Sequence, residues 1–489
     1  MNNQAKAVDV KSKPYSRMIL VLVMSLGSFT TTMTVTMLLN AFPNLMSAFN
    51  ISADTVEWLT NGSMLVLGVM VPISAFLINK VPTKTLYLSA LVFFNVGLAM
   101  SAVSTNFATL LTGRLIAAVG VGVMAPLMQT TLLVIFPVEE RGMAMGLNGL
   151  VVALAPAVGP TLSGWLLLHY SWRMLFWAIL LLGVLVFVLA LFTMRNVLPN
   201  TAASLDVISV IESTLGFGLL LYAFTEVGTW GWTSIEFFTY LIISLLVILL
   251  FGYRQLKLDK PVLDLSVLKS KKFTLSIIIV AINYAAMIGV QTLFTLYIQQ
   301  VRGESAFHAG LLLFPGAIAV AITSLISGRT FDRLGAKGMG VAGFTLLIVG
   351  SLAMTQLDAR SSLVVIMTLY AVRMIGIGLV LMPITTSGMN ELPINKMGDG
   401  TSVNNTLRQI AGAVGTAVLM SILTNQAKQN LPGKHVLKAT PLKYKHLADN
   451  AVLTGYHTAF LVCALFCILG LVLVMFLSNN KQQKEGEQA

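Results

Sequence analysis

The sequence predicts an all-α polytopic membrane protein: two six-helix bundles in parallel repeat, with two further helices inserted between them, fourteen transmembrane helices in total. Three observations carry this expectation. Of 489 residues, 56% are hydrophobic and only 10% charged, whereas a soluble globular chain carries ~25% charged residues. Fourteen apolar runs approach the ~20 residues that a membrane helix needs. The two ends of the chain also resemble each other when shifted by 256 positions.

Residues 1–17 form a polar tail, expected to be cytoplasmic and not a cleavable signal peptide. The first bundle, 18–195, has runs beginning near Met18, Trp58, Leu86, Phe107, Met143 and Trp172. The inserted pair, 196–272, has runs beginning near Val207 and Phe237, followed by a cytoplasmic linker. The second bundle, 273–478, has runs beginning near Phe273, Ala309, Met339, Leu363, Val403 and Val452, and 479–489 form a second polar tail. Backbone amides in lipid must be paired within the segment, so runs of this length predict helices rather than barrel strands. An outer loop at about 425–452 is long enough for a small extramembrane hairpin or helix.

The repeat is specific in its residues. At the 256 shift, Thr112, Gly120, Gly122, Thr130, Pro137, Gly142, Asn148, Ala155, Ala157, Val158 and Gly159 each fall on an identical residue. At a shift of 253, Ile73, Ser74 and Lys84 meet Ile326, Ser327 and Lys337, and Asn79–Lys80 lie over Asp332–Arg333. Parallel six-span repeats are the layout of rocker-type secondary transporters, with a site between the halves near the membrane midplane.

The 31 Lys and Arg against 19 Asp and Glu give a net charge of +12. No soluble domain offers a basic face for nucleic acid, and cationic loops on one side of a membrane account for the excess. Counting loops from a cytoplasmic N-terminus places twenty of the cations inside and eight outside, so both termini are expected in the cytoplasm. Cys463 and Cys467, four apart in one apolar run, are expected to be packing residues and not a disulfide or metal site. No metal or cofactor is expected.

Three segments carry the candidate mechanics. GRTFDRLGAK, residues 328–337, puts Asp332 near a helix N-terminus with Arg333 and Lys337 beside it, a cluster able to latch the halves together on the inner side. Its first-half counterparts are Asn79, Lys80 and Lys84. APAVGPTLSGW, 155–165, combines Pro156 and Pro160 with Gly159 and Gly164, which predicts a bent, closely packed gating helix. Arg114, inside the fourth span, is a buried charge and therefore a functional candidate; Arg373 and Arg408 occupy spans twelve and thirteen, and Arg373 does not overlie Arg114.

These segments resemble the major facilitator superfamily, specifically its fourteen-span drug:proton antiporter branch. GRTFDRLGAK is similar to the family's loop motif, GRLIAAVGVGVMAP to its fourth-span arginine motif, and APAVGPTLSGW to its fifth-span antiporter motif. SWRMLFW at 171–177, Ala41-Phe42-Pro43 and LYIQQVRGESAFHAGLLLFP at 296–315 extend the likeness over nearly the whole chain. The resemblance implies efflux of small amphipathic drugs or toxic compounds by alternating access in exchange for protons. It also implies a monomer in a bacterial plasma membrane. Two departures bear on mechanism. The family's first-half Asp and Gly are Asn79 and Pro82 here, and acids that some relatives carry in spans one and two are Thr34 and Asn61.

Few acids remain within spans: Glu57, Glu212, Glu226 and Glu391. Proton antiport calls for a carboxylate held near neutrality by burial, so Glu57, beside Asp54 at the outer mouth of span two, is the coupling candidate together with Arg114. Cavity candidates are Met33, Thr34, Met37 and Asn61 in the first bundle, with Asn283, Tyr284, Gln291 and Phe294 in span nine. This neutral, adaptable lining suits neutral, zwitterionic or singly charged amphiphiles. An ATP-driven pump is excluded by the lack of a GxxxxGK[ST] loop, and an enzyme by the lack of any nucleophile or metal-ligand spacing. A channel would need a filter or a charged ring. Export of an endogenous lipid or fatty acid, without a buried-carboxylate coupling step, is the alternative that the missing acids favour.

Overall fold

The computed structural model describes residues 7–10, 14–198, 206–258, 261–432 and 441–477. A two-residue antiparallel pair, β1 (Ala7–Val8) with β2 (Pro14–Tyr15), precedes the first helix. The first bundle comprises α1 (Arg17–Leu39), a short α2 (Phe42–Phe49), α3 (Ala53–Lys80), α4 (Thr83–Ala102), α5 (Phe107–Ile135), α6 (Arg141–His169) and α7 (Arg173–Thr193). The inserted pair is α8 (Val207–Trp230) and α9 (Ile235–Lys257). The second bundle comprises α10 (Lys271–Leu296), α11 (Ala306–Met354), α12 (Leu363–Met389), α13 (Met397–Asn430) and α14 (Pro441–Met475).

Among the described residues, twelve helices are long and apolar enough to cross a membrane, and a thirteenth is completed by α3, whose segments Trp58–Met70 and Ile73–Lys80 meet at 51°. Pro72 lies at that bend, and proline is the usual cause of such a kink. Helix α6, 29 residues long, lies where the sequence expects the fifth span, so the count of fourteen is met only approximately. Polar caps end several spans: Ser16, Ser52, Asn106, Asp206, Ser234, Ser270 and Ser305 each accept a hydrogen bond from an N–H of the following first turn.

Helix α11 contains two spans. At Gly335 the backbone turns to φ 68 and ψ 171, a conformation open essentially to glycine alone. The segment expected as a loop at 328–337 is therefore helical up to a one-residue break. Its first-half counterpart, Pro82, sits at φ −53 and ψ 136, which proline fits. The two halves make the same reversal with different backbone geometry, and this accounts for proline standing where the resemblance expects glycine. The outer segment expected at 425–452 is largely helical as well: α13 continues to Asn430 and α14 starts at Pro441.

Close backbone approaches repeat between the halves. A Cβ added to Gly120 on α5 would lie 2.3 Å from the Ala90 carbonyl oxygen on α4, and one on Gly376 would lie 2.6 Å from that of Gly343. Gly97 meets the Ala117 backbone as Gly350 meets the Arg373 side chain. On the seam helices, Gly159 rests on Thr36 of α1 and Gly415 on Ala285 of α10. Lipid supplies no hydrophobic force between helices, so such contacts hold each bundle together.

Helix α8 lies against α3 of the first bundle and α13 of the second. Leu221 fills the space beside Gly68, and Trp232, just beyond α8, reaches the Ser421 hydroxyl on α13. Arg254 forks onto Asp206 with bonds of 2.6 and 3.0 Å, joining the ends of α9 and α8. The guanidinium, helped by the Ser209 hydroxyl, holds the Asp206 carboxyl far below the usual carboxylate range. Helix α9 is otherwise lipid-facing, with Leu246 and Leu249 61% and 69% exposed.

Replacing Gly120 or Gly376 by valine is expected to force α4 from α5, or the paired spans of the second bundle apart, at a cost of about 1–3 kcal/mol or more. Thermal unfolding in detergent would show both variants destabilised. Gly228→Ala, where nothing lies within 4 Å of the added carbon, should leave the transition unchanged or raised.

Candidate functional site

Both bundles begin and end on one face, termed here the terminal face, and on that face they meet through polar side chains. Asn79 closes α3 and Asp399 opens α13; the Asn79 Nδ2 donates to Asp399 Oδ2 at 3.4 Å. The other carboxylate oxygen, Oδ1, accepts from the Asp264 backbone N–H at 3.0 Å. Asp264 in turn pairs with Lys396 at 2.9 Å. Burial raises the Asp264 pKa, but hydrogen bonds from Ser266 and Lys396 outweigh it and leave the group below its ordinary value.

Deeper along the same seam, the Ser74 and Ser402 hydroxyls lie 3.3 Å apart, and Asn405 Nδ2 donates to Gln129 Oε1 at 2.9 Å. On the opposite side of the seam Arg141 donates to Asn390 Oδ1 at 2.9 Å. There α6 approaches α11 so closely that a Cβ on Gly146 would lie 2.5 Å from the Ser324 carbonyl oxygen. In this conformation the halves are thus joined at the terminal face.

The resemblance leaves the first-half loop without its carboxylate, and the structure locates a carboxylate across the seam. Asp399, in the first turn of α13, complements the positive end of that helix. Asn79 presents an amide donor to it, whereas an aspartate at 79 would set two carboxylates against each other.

Other candidates take different places. Lys84 donates to the Leu191 carbonyl at 2.6 Å and Lys337 to that of Met475 at 2.7 Å. Expected to latch across the seam, these repeat-related lysines instead hold the C-terminal carbonyls of α7 and α14 within their own halves, where a cation suits the helix end. Lys80 lies over the Phe76 ring at 5.2 Å. The side chains of Asp332, Arg333, Pro156, Pro160, Asp54 and Glu57 lie outside the described residues. Gly164 is partly exposed.

Of the cavity candidates, Met33, Met37 and Phe294 belong to the packed cores of their own halves. They do not line an open surface in this conformation. Phe294 stacks on Tyr370 at 4.6 Å, and Thr34 turns its hydroxyl back to the Thr30 carbonyl. Asn283 is enclosed with neither amide atom partnered among the described residues. Asn61, Tyr284 and Gln291 are half-buried.

The three arginines expected within spans differ. Arg114 is 3% exposed and its Nε has no partner among the described residues. Arg373 is fully enclosed and bonded to Ser351, the Ala286 carbonyl and Cys463. Arg408 lies over the Tyr284 ring at 4.4 Å. Among the acids, Glu391 pairs with Lys272 at 3.1 Å, whereas Glu212 is buried on α8 with Oε2 unpartnered among the described residues.

Sequence reasoning passed over Asp399, Arg141 with Asn390, and Gln129 with Asn405. The signal for Asp399 was the repeat itself, since the 256 shift puts this acid where the first half has Met143.

The Major Facilitator Superfamily profile matches residues 24–416. The chain is 41% identical over 480 residues to an uncharacterized MFS-type transporter, YcnB, of Bacillus subtilis (strain 168), covering 98% of each. It is 37% identical over 477 residues to the lincomycin resistance protein LmrB of the same organism, covering 96% of this chain and 98% of that one. Among solved structures, the human organic anion transporter MFSD10 (TETRAN) aligns at a TM-score of 0.67 and 16% identity, over 94% of this chain and 99% of that one. That identity carries the fold alone. The chain belongs to the Major Facilitator Superfamily and is a multi-pass membrane transporter.

Asn79→Asp would face a carboxylate with a carboxylate, a repulsion of about 4 kcal/mol at 4 Å and an effective dielectric of ~20. With spin labels at the exposed, repeat-related Val138 and Ile394, this variant should lengthen the distance across the terminal face. Adding Asp399→Asn, which restores one carboxylate and one amide, should bring it back.

Proposed function

We propose that this transporter exports small amphipathic compounds, antibiotics among them, by alternating access in exchange for protons, as a monomer in the bacterial plasma membrane with both termini cytoplasmic. The observation that carries the reading is the 37% identity to a lincomycin resistance protein over 96% of the chain. The seam supports it: two internally close-packed halves meet through separable polar pairs and the Gly146–Ser324 approach of α6 to α11, as a rocking mechanism needs. Twenty of the chain's Lys and Arg residues fall on the terminal-face side in the loop count, which supports that face as cytoplasmic. With the terminal-face contacts made, the conformation then has its inner gate closed.

In this reading Asp399 and Asn79 form the core of the inner gate, with Asp332 and Arg333 in the corresponding position of the other half. Gly159 and Gly164, with Pro156 and Pro160, shape the moving α6. Arg114 organises polar contacts within the first bundle, and Glu57 with Asp54 takes up protons at the outer mouth. Export of an endogenous lipid or fatty acid, coupled in some other way, is favoured by one observation. The acids described within the spans are few, and Glu391 is already paired with Lys272.

Efflux of a fluorescent amphiphile from proteoliposomes, with and without an imposed pH gradient, separates the two. Proton exchange predicts gradient-driven efflux that Glu57→Gln abolishes, with Arg114→Ala inactive despite normal expression. Wild-type efflux indifferent to the gradient would remove proton coupling from the proposal.

A further inference from the structure

We infer that Arg408 is the substrate-binding cation of this transporter, and that the substrates handled best carry a carboxylate or other anionic group on their amphipathic body. The inference rests on the export reading and names the substrate class of its central site.

Arg408 lies eleven residues beyond the start of α13 at Met397, about 16 Å along the helix at ~1.5 Å per residue. That is half the ~30 Å hydrocarbon thickness, the depth at which superfamily-type repeats place their site. A guanidinium at this depth is expensive unless it is paired or serves a ligand. Among the described residues no carboxylate pairs with it. Its neighbours are neutral: the Tyr284 ring at 4.4 Å and Asn405 Oδ1 at 3.4 Å, with Nε unpartnered.

Arg373 supplies the contrast. It is fully enclosed, and although Nη1 has no partner among the described residues, Nε and Nη2 bond to a hydroxyl, a carbonyl and a thiol of its own bundle, so it is a structural post. Arg408 is half-buried, and it stands at the seam. Asn405, which it touches, bonds across to Gln129 of the first bundle.

The same face of α13 carries further polarity without partners among the described residues. Asn404 is four residues before Arg408 and so one turn below it; it is 1% exposed with both amide atoms unpartnered. Thr401, a further turn down, is enclosed with its hydroxyl unpartnered. Buried polar atoms are costly to leave unpaired. A run of three along one helix face, headed by a cation with no counter-charge among the described residues, is what an anionic ligand with hydrogen-bonding oxygens would complete. Separating α13 from α5 breaks the Asn405–Gln129 bond beside Arg408.

The test uses one fluorescent hydrophobe bearing a carboxylate, a primary amide or a trimethylammonium head, with the full-length protein in proteoliposomes. Wild type should transport the carboxylate with a KM at least about tenfold below that of the ammonium, as charge-assisted, bidentate pairing predicts. Arg408→Gln should raise the carboxylate KM by at least about tenfold and leave the amide KM within about twofold. Arg408→Lys, which keeps the charge but loses the planar fork, should fall between. Equal loss for all three heads in a properly folded Arg408→Gln protein would make the residue structural and overturn the inference, as would a wild type that does not prefer the carboxylate. Thermal stabilisation of the purified protein by the carboxylate probe provides a readout independent of transport. If wild type moves none of the probes, the export reading fails. Stabilisation lost in Arg408→Gln would still uphold the anion site, and no stabilisation of wild type would overturn it.

Discussion

Lipid withholds the force that assembles soluble proteins. A helix leaving hydrocarbon for another helix removes little apolar surface from water, so attraction has to come from close van der Waals packing and from polar pairs. In this chain glycine contacts pack each bundle and also bring α6 onto α11 at Gly146, while polar pairs gather at the seam. Within each bundle, backbones are brought nearly into contact at Gly120 on Ala90 and Gly376 on Gly343, with no side chain able to intervene. Between the bundles the terminal face carries Asn79 on Asp399, Ser74 on Ser402 and Arg141 on Asn390. Close packing fails abruptly when helices separate, whereas polar pairs can exchange partners with water or ligand at smaller cost. The result is two stiff bodies with a seam able to open.

Much of this was legible because the chain is written twice. Gly120, Gly159, Gly376 and Gly415 stood out in the repeat before their contacts were known, and each proves to be a point of close approach. Lys84 and Lys337 also correspond in the repeat, but instead of latching the halves both cations hold helix ends in their own bundles. Sequence spacing reports which residues correspond, and it is silent on whether a flexible ammonium group reaches across a seam or back to its own bundle. Asp399 was missed for a related reason. The sequence shows the carboxylate absent at residue 79, whereas its replacement on the facing helix appears only once α3 and α13 are seen end to end. The methionines of α1 were likewise ambiguous, since packing and cavity lining draw on the same residue types.

The inserted helices fit the same division. Helix α8 bears on α3 and α13, one from each bundle, and its Trp232 connection reaches Ser421 while Leu221 occupies the gap at Gly68. Arg254 and Asp206 fix α9 to α8 at the terminal face, and Gln255 ties the following linker by accepting from the Val262 and Leu263 N–H groups. That linker delivers the Asp264 N–H to Asp399. The insertion is therefore wired into the gate: its far end carries a donor to the carboxylate that joins the bundles.

This wiring has a consequence for how the seam opens. Asp399 accepts from the other bundle through Asn79 and from the linker through Asp264, and only the first of these bonds crosses the seam. When the bundles part, Asp399 can keep its linker donor and the positive end of α13, so its charge is never left wholly uncompensated. An aspartate at residue 79 would lose α13 on opening and would depend on water alone. Placing the carboxylate on the helix whose N-terminus and linker travel with it lowers the cost of the open state. A gate carboxylate on α13 and an amide on α3 is, on these grounds, the arrangement better suited to repeated opening.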